Sequence, residues 1–304
     1  MEELGKEDFI KWMTLCSIKG LGSSKISKLF GLFEDIEKIY SASESDLLST
    51  RIFKDEMVQD FKRLKENNSS DFEYVFEKCK KNNIKIIHLF SENYPKRLRF
   101  MPDAPLNLFA LGNLNLIRTQ NVAVVGSRDS SEQAKKWAFD NAQDIVKKGI
   151  TVVSGGAKGI DYEAHRGALS INGNTICVVG TGLLALYPQE HKELFEQIKQ
   201  NGLLLSEQFP DSKVEKLSLV RRNRIISGIS ESIIIVTSSF QGGTLTQLKI
   251  AYNQHIPIFC PALSLNLLPN EGIKEGLKSY NAKEINDILP VIKQIEKTNI
   301  FSYT

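Results

Sequence analysis

Two glycine-marked turns hold the residues best suited to chemistry in this chain. The first closes Val-Ala-Val-Val-Gly-Ser-Arg, residues 122–128. The second lies in Thr-Val-Val-Ser-Gly-Gly-Ala-Lys-Gly-Ile-Asp, residues 151–161. In each, a short β-branched run gives way to glycine, serine and a cation, and then to a helix-like stretch. Such a turn offers free backbone N–H groups and the positive end of a helix dipole, which is the chemistry of anion binding. Gly126, Ser127 and Arg128 form the first candidate group; Ser154, Gly155, Gly156, Lys158 and Gly159 form the second. Gly180-Thr181-Gly182 and Gln241-Gly242-Gly243-Thr244 repeat the pattern, and the latter adds Gly242, Gly243 and Thr244. A further cationic block is Arg221-Arg222-Asn223-Arg224, with Lys213 and Lys216 just upstream. Guanidinium forks match phosphate oxygens bidentately and stack on bases, so this block predicts a channel for a phosphate backbone. Asn223 fits either a base-edge contact or a role in ordering the loop.

Missing features narrow the ligand. A dinucleotide fingerprint needs three glycines after the first strand and an acid about 20 positions on. The first turn here reads Gly-Ser-Arg-Asp-Ser-Ser, and the second strand ends in Ser154-Gly155 without an acid. No Gly-x4-Gly-Lys-Ser/Thr motif occurs either. NAD and ATP are therefore disfavoured, and no cofactor is expected. Asp161 is the acid inside the cradle, and its expected role is to cap the following helix. His165 lies one helical turn later on the same face, with no nucleophile beside it. The four histidines and four cysteines (Cys16, Cys79, Cys177, Cys260) show no metal-ligand spacing. The reading is a binding protein, not an enzyme.

These turns need a scaffold that brings them to one edge. From residue 121 onward strands and helices alternate. Strands are expected at 121–125, 150–154, 174–179, 203–206, 232–237 and 256–260, and helices at 131–148, 160–171, 190–200 and 243–254. That alternation predicts an α/β fold, a doubly wound, mostly parallel sheet covered by helices on both faces. Strand-to-helix loops of such a sheet open on its carboxyl edge, where ligands bind. Residues 7–66 read as helical, 66–71 as a polar break, 72–82 as helix and 84–89 as a short strand. Pro95, Pro102 and Pro105 punctuate an irregular connection, and 283–304 reads as a helix-like tail. Ile18-Lys19-Gly20-Leu21-Gly22-Ser23-Ser24-Lys25 has the helix-hairpin-helix pattern. It fits a phosphate-facing turn and an ordinary αα-turn equally well.

Composition bounds the function class. The 304 residues are 41% hydrophobic and 25% charged, with a formal net charge of +3, so any basic surface must be local. Scattered cysteines fit a reduced, cytoplasmic protein. The charged N-terminus is unlike a secretory signal, and no apolar run approaches the ~20 residues that span a bilayer, so no membrane partner is expected.

The ordered series of motifs resembles the DNA-processing protein A (DprA/Smf) family over roughly residues 10–285. The resemblance rests on Tyr94-Pro95-Lys96-Arg97-Leu98, Asp103-Ala104-Pro105, Leu108 to Leu114, Gly126-Ser127-Arg128, Ser154 to Asp161, Ala164 to Leu169, Tyr187-Pro188, Leu205-Ser206-Glu207, and Arg221 to Gly228. It implies an extended Rossmann-like fold with a small N-terminal helix-hairpin-helix (SAM-like) domain. The implied domains are 1–66, the helical head; 67–290, the Rossmann-like body; and 291–304, a tail without a winged-helix domain. It further implies binding of single-stranded DNA, a homodimer, and loading of RecA recombinase with displacement of single-strand-binding protein. Departures include Lys158 in place of the usual Arg, and Gln241 to Leu245 in place of the usual Ser-Gly-Ser-Leu. The Gly242-Gly243-Thr244 turn resembles nucleotide-cleaving (LOG/SLOG-type) proteins, which leaves a nucleotide sensor or enzyme, in phage defence for example, as the alternative function.

Overall fold

The computed structural model describes residues 4–67, 69–240, 242–267 and 269–300. The chain forms two compact units, Met1–Tyr94 with Arg99–Leu108, and Pro95–Leu98 with Phe109–Thr304.

The first unit is mainly helical: α1 (Lys6–Cys16), α2 (Ser23–Phe33), α3 (Ile36–Ser41), α4 (Glu44–Ser49), α5 (Asp55–Asn67) and α6 (Ser69–Lys81), then a short strand β1 (Lys85–His88). Its core is Phe9, Trp12, Leu15, Ile26, Leu29, Ile39 and Phe61, all nearly inaccessible to water. The Trp12 indole N–H donates to Asn107 Oδ1 at 2.6 Å, so the largest side chain of this core leaves no polar atom orphaned. The expected boundary at 66/67 falls inside this unit, because α6 packs back on α1 with the Phe9 and Phe76 rings 5.5 Å apart. Asn68, in the expected polar break, lies outside the described residues.

After a single helical turn, α7 (Lys96–Arg99), the second unit carries the sheet: β2 (Asn107–Gly112), β3 (Asn121–Val125), β4 (Thr151–Ser154), β5 (Thr175–Val179), β6 (Leu203–Ser206), β7 (Ser232–Ile235), β8 (Ile258–Pro261) and β9 (Lys283–Ile285). These strands neighbour one another in the order β2-β6-β5-β4-β3-β7-β8-β9. Every pair is parallel except β2 with β6. Strands β3 to β8 are buried at every position, which is why their sequences are mostly apolar runs rather than alternating ones. Helices α8 (Glu132–Lys147), α9 (Ile160–Leu169), α10 (Lys192–Asn201), α11 (Lys216–Arg221), α12 (Asn223–Gly228), α13 (Gly243–Asn253), α14 (Glu271–Ser279) and α15 (Leu289–Ile300) fill the connections. α8 starts at a Ser131 cap that accepts from the Ala134 amide at 3.3 Å. It turns Ala134, Ala138, Ala142 and Ile145 onto the core beside Ile160, Ala164 and Ala168 of α9.

The α/β class and the parallel sheet match the sequence expectation. Four elements differ. Residues 107–112 are a strand, placed by antiparallel pairing with β6 just after the prolines at 95, 102 and 105. The Arg221–Arg224 block lies on two short helices, α11 and α12, not on a loop. Residues 271–279 form a helix, and a three-residue strand, β9, precedes α15 where a continuous helical tail was expected. Residues 301–304 of that tail lie outside the described residues.

Candidate nucleic-acid interface

The chain climbs from β3 through β4 and β5 to β6 on one side, then returns to place β7 on the other side of β3. The strand order therefore reverses between β3 and β7, and a crevice opens there beyond their carboxyl ends. It is a cleft of about 860 Å³. One wall is Gly126, Ser127, Arg128 and Asp129 from the β3 turn; another is Ser239, Gly242, Gly243, Thr244, Thr246 and Gln247 from the β7–α13 connection. Ala157 and Asp161 close the floor, and Lys216, Leu219, Val220, Arg222, Asn223 and Ile226 from α11 and α12 complete it, with Tyr187 and Val214 at the rim. α13 begins at Gly242 without a side-chain cap, so the Gly243 and Thr244 N–H groups keep their capacity for an external acceptor, while the Leu245 N–H donates to the Gly242 carbonyl at 3.2 Å. Polar groups able to hold a phosphate thus share the cleft with the apolar Val214, Leu219, Val220 and Ile226, a pairing suited to a nucleotide's phosphate and its sugar or base.

Of the residues singled out in the sequence, the cleft unites Gly126, Ser127, Arg128, Arg222, Asn223, Gly242, Gly243 and Thr244. The others do other work. The Ser154 hydroxyl is buried and donates to the Val124 carbonyl at 2.7 Å, tying β4 to β3. Gly156 backs onto Cys177 and Phe195. Lys158 is exposed and ion-paired with Glu190, and that partner raises its pKa. Arg221 is exposed outside the cleft lining. Arg224 pairs with Glu207 at 2.6 Å in a half-buried bridge. Even within the cleft, the Ser127 amide is taken: it donates to the Thr237 carbonyl at 3.1 Å. The glycine turn after β5 is also occupied, since Gly182 N–H donates to Ser212 and Leu184 N–H to Pro210.

Arg222 is the chief correction. Expected to hold a phosphate in a channel, it lines the cleft but is only 9% exposed. Its Nη1 donates to the Val178 carbonyl at 2.8 Å, and its Nη2 lies 3.8 Å from Asp161 Oδ2. Its guanidinium lies so close to Gly155 that a Cβ there would fall 1.4 Å from Nη1. The second glycine turn therefore owes Gly155 to an arginine, not to a ligand. Asp161 does not cap α9, whose cap position is Gly159. Its carboxylate accepts the Ala157 amide at 3.4 Å, closing the turn before the helix. Burial pushes the Asp161 carboxyl up, against the pull of Arg222 and the Ala157 and Gly126 amides. Burial likewise pushes Arg222 down, with Asp161 opposing. His165 is fully buried, shares a 2.7 Å hydrogen bond between Nδ1 and Thr175 Oγ1, and is pushed down to about 3 by burial, Arg222 and His191. It is a neutral core residue and makes no pair with Asp161.

Gln247 went unread in the sequence, although it stands three residues after Thr244, on the same face of α13. Its Nε2 donates to the Asn223 carbonyl at 3.1 Å, which fixes the orientation of the amide and links α13 to α12. Among the described residues, no three His, Cys, Asp or Glu side chains group as a metal site, and no helix is long and apolar enough to cross a membrane.

Comparison with known proteins fits this geometry. The profile described as DNA recombination-mediator protein A matches residues 85–296. Protein Smf of Synechocystis sp. is 33% identical over 252 residues, 82% of this chain and 63% of that protein. DNA processing protein A of Streptococcus pneumoniae superposes with a TM-score of 0.78 at 28% identity, covering 96% of this chain and 98% of that one. The same protein of Helicobacter pylori, described for its single-stranded DNA binding mode, gives 0.64 at 30% identity over 71% and 96%. The chain spans 63% of the Synechocystis protein and 51% of Protein Smf from Escherichia coli. With the profile covering most of its length, this chain belongs to the DNA recombination-mediator protein A family, DprA/Smf.

Proposed function

We propose that this protein holds single-stranded DNA in the cleft between the β3 and β7 turns and breaks no bond in it. In this reading it is a cytoplasmic homodimer that protects incoming or exposed strands and helps to load RecA recombinase onto them. The observation that carries the reading is the convergence of Arg128, Lys216 and the uncapped start of α13 on one crevice at the strand-order reversal, beside apolar side chains. A sequence-neutral grip on a single strand needs that combination of cations and stacking surface. The binding mode described for the Helicobacter pylori relative supports it. The absence of chemistry in the reading is supported by how the titratable groups are spent: Asp161 on Arg222 and a backbone amide, and His165 on Thr175.

A second reading, a free mononucleotide as ligand, is favoured by two atoms. Arg222 Nε and Gln247 Oε1 are buried without hydrogen-bond partners, and both side chains line the cleft. The volume also falls in the range of small-molecule sites. Fluorescence anisotropy of labelled oligo(dT), a duplex of equal length and competing mononucleotides, at two salt concentrations, separates the two. Strand binding predicts preference for oligo(dT), steep salt dependence, and a several-fold loss in Arg128→Gln. Tight mononucleotide binding without affinity for oligo(dT) would eliminate it.

A further inference from the structure

We infer that the first unit carries a nucleic-acid contact of its own, in which a base of a single strand stacks on Phe100 and the flanking phosphates lie along Lys25 and Lys28. Phe100 is 86% exposed, the most accessible of the large apolar side chains described. An exposed ring of this kind offers an open face on which a base can stack. The fold holds it at the start of α2: Ser23 Oγ donates to the Pro102 carbonyl at 2.9 Å. Phe100 stands two residues before Pro102, so their Cα atoms lie within about 7 Å.

The stretch of chain that includes α2 is unbalanced in charge. No Asp or Glu occurs between Asp8 and Glu34, while Lys11, Lys19, Lys25 and Lys28 do. Four lysines of the unit are neutralised: Lys6 by Glu73, Lys11 by Glu37, Lys38 by Glu34 and Lys62 by Glu44. Among the described residues, Lys19, Lys25 and Lys28 have no such partner. Lys25 and Lys28 share one face of α2, one turn apart, with the exposed Leu32 one turn further. Unpaired cations on α2 and an exposed ring beside its first turn supply the two contacts, phosphate and base, that an unpaired strand offers. A duplex stacks its bases inside and has none to offer the ring. The helix-hairpin-helix pattern of the sequence thus gains a specific role on this surface, distinct from the cleft.

The test uses the full chain. Phe100→Trp places a fluorophore on a surface where it disturbs no packing, and wild type supplies the background from Trp12 and Trp137. Oligo(dT) is expected to quench the added indole, and duplex DNA of equal length is not. Lys25→Gln with Lys28→Gln is expected to flatten the salt dependence of oligo(dT) affinity by about 1.4 in the log–log slope, at ~0.7 per phosphate. Phe100→Ser is expected to weaken binding on the order of tenfold. An unquenched indole together with an unchanged slope overturns the inference, as does quenching by duplex in preference to the single strand. If oligo(dT) still binds and depends on Arg128 while the indole stays unquenched, this inference falls and the cleft reading stands.

Discussion

Arg222 and its contacts show how one side chain can be mistaken for a ligand. It bridges the end of β5, the turn before α9 and the start of α12, and its partner Asp161 is equally buried. Removing one member of such a pair strands the other charge away from water. Arg222→Ala is therefore expected to lose ~3–5 kcal/mol of stability, read by chemical denaturation, so its loss of DNA affinity would follow from unfolding. Gly155→Ala is expected to act in the same direction but less, because its Cβ displaces the end of a flexible side chain rather than backbone. A melting temperature unchanged in both variants would contradict the clamp. Arg128, by contrast, is exposed at the cleft mouth. Arg128→Gln is expected to leave the melting temperature alone and to lower oligo(dT) affinity several-fold, with the salt slope shallower by ~0.7.

His165 gives a pH prediction at the same scale. Its folded-state pKa, about 3, lies below the ordinary 6.5, so the unfolded chain takes up the extra proton. Stability from this residue is complete above about pH 6.5 and is lost as pH falls toward 3, amounting to about 2 kcal/mol at pH 5. Denaturation of wild type and His165→Gln between pH 5 and 7.5 checks this. The variant's profile should be flatter by that amount, and parallel profiles would refute it.

At the scale of elements, the cleft depends on how closely α9 approaches the β3 turn. Gly159 has φ +79°, and a Cβ there would meet the Arg128 and Ser127 carbonyl oxygens at 2.4 and 2.6 Å. Both the conformation and the contact exclude a side chain. Gly159→Ala is expected to cost ~1–3 kcal/mol and to push the Ser127-Arg128 backbone out of the cleft wall. It should lower DNA affinity beyond the loss seen in Arg128→Gln, measured by anisotropy at a temperature where both are folded. The strands that frame this site were legible because burial on both faces leaves mostly apolar residues in them, with polar ones at their ends. The helices α11 and α12 were not. Each is only six residues long, and guanidinium groups interrupt their apolar period. Strand β2 was unreadable for a different reason: its place is set by antiparallel pairing with β6, with Phe109 opposite Ser206, nearly a hundred positions downstream.

Across the whole molecule, net charge is a poor guide to the proposed partner. A formal +3 does not say which cations are free, and several are matched by carboxylates, including Lys158 with Glu190 and Arg224 with Glu207. Binding should then follow the unmatched cations that the proposed contacts bring together. Oligo(dT) affinity is expected to fall with salt at a log–log slope of only a few times ~0.7, set by Arg128, Lys216 and the α2 lysines. A slope as steep as the total of lysines and arginines would require a different surface.

The sequence by itself determined the α/β class, the carboxyl-edge location of the glycine turns and the family, because those depend on local periodicity and on short motifs in fixed order. It could not decide which cations face a ligand. Arg128 and Arg222 are the same residue type, and only the packing of β5, α9 and α12 around one of them separates an exposed guanidinium from a buried clamp. Desolvation and pairing are properties of three-dimensional neighbours, and residues that are distant in the chain supply them.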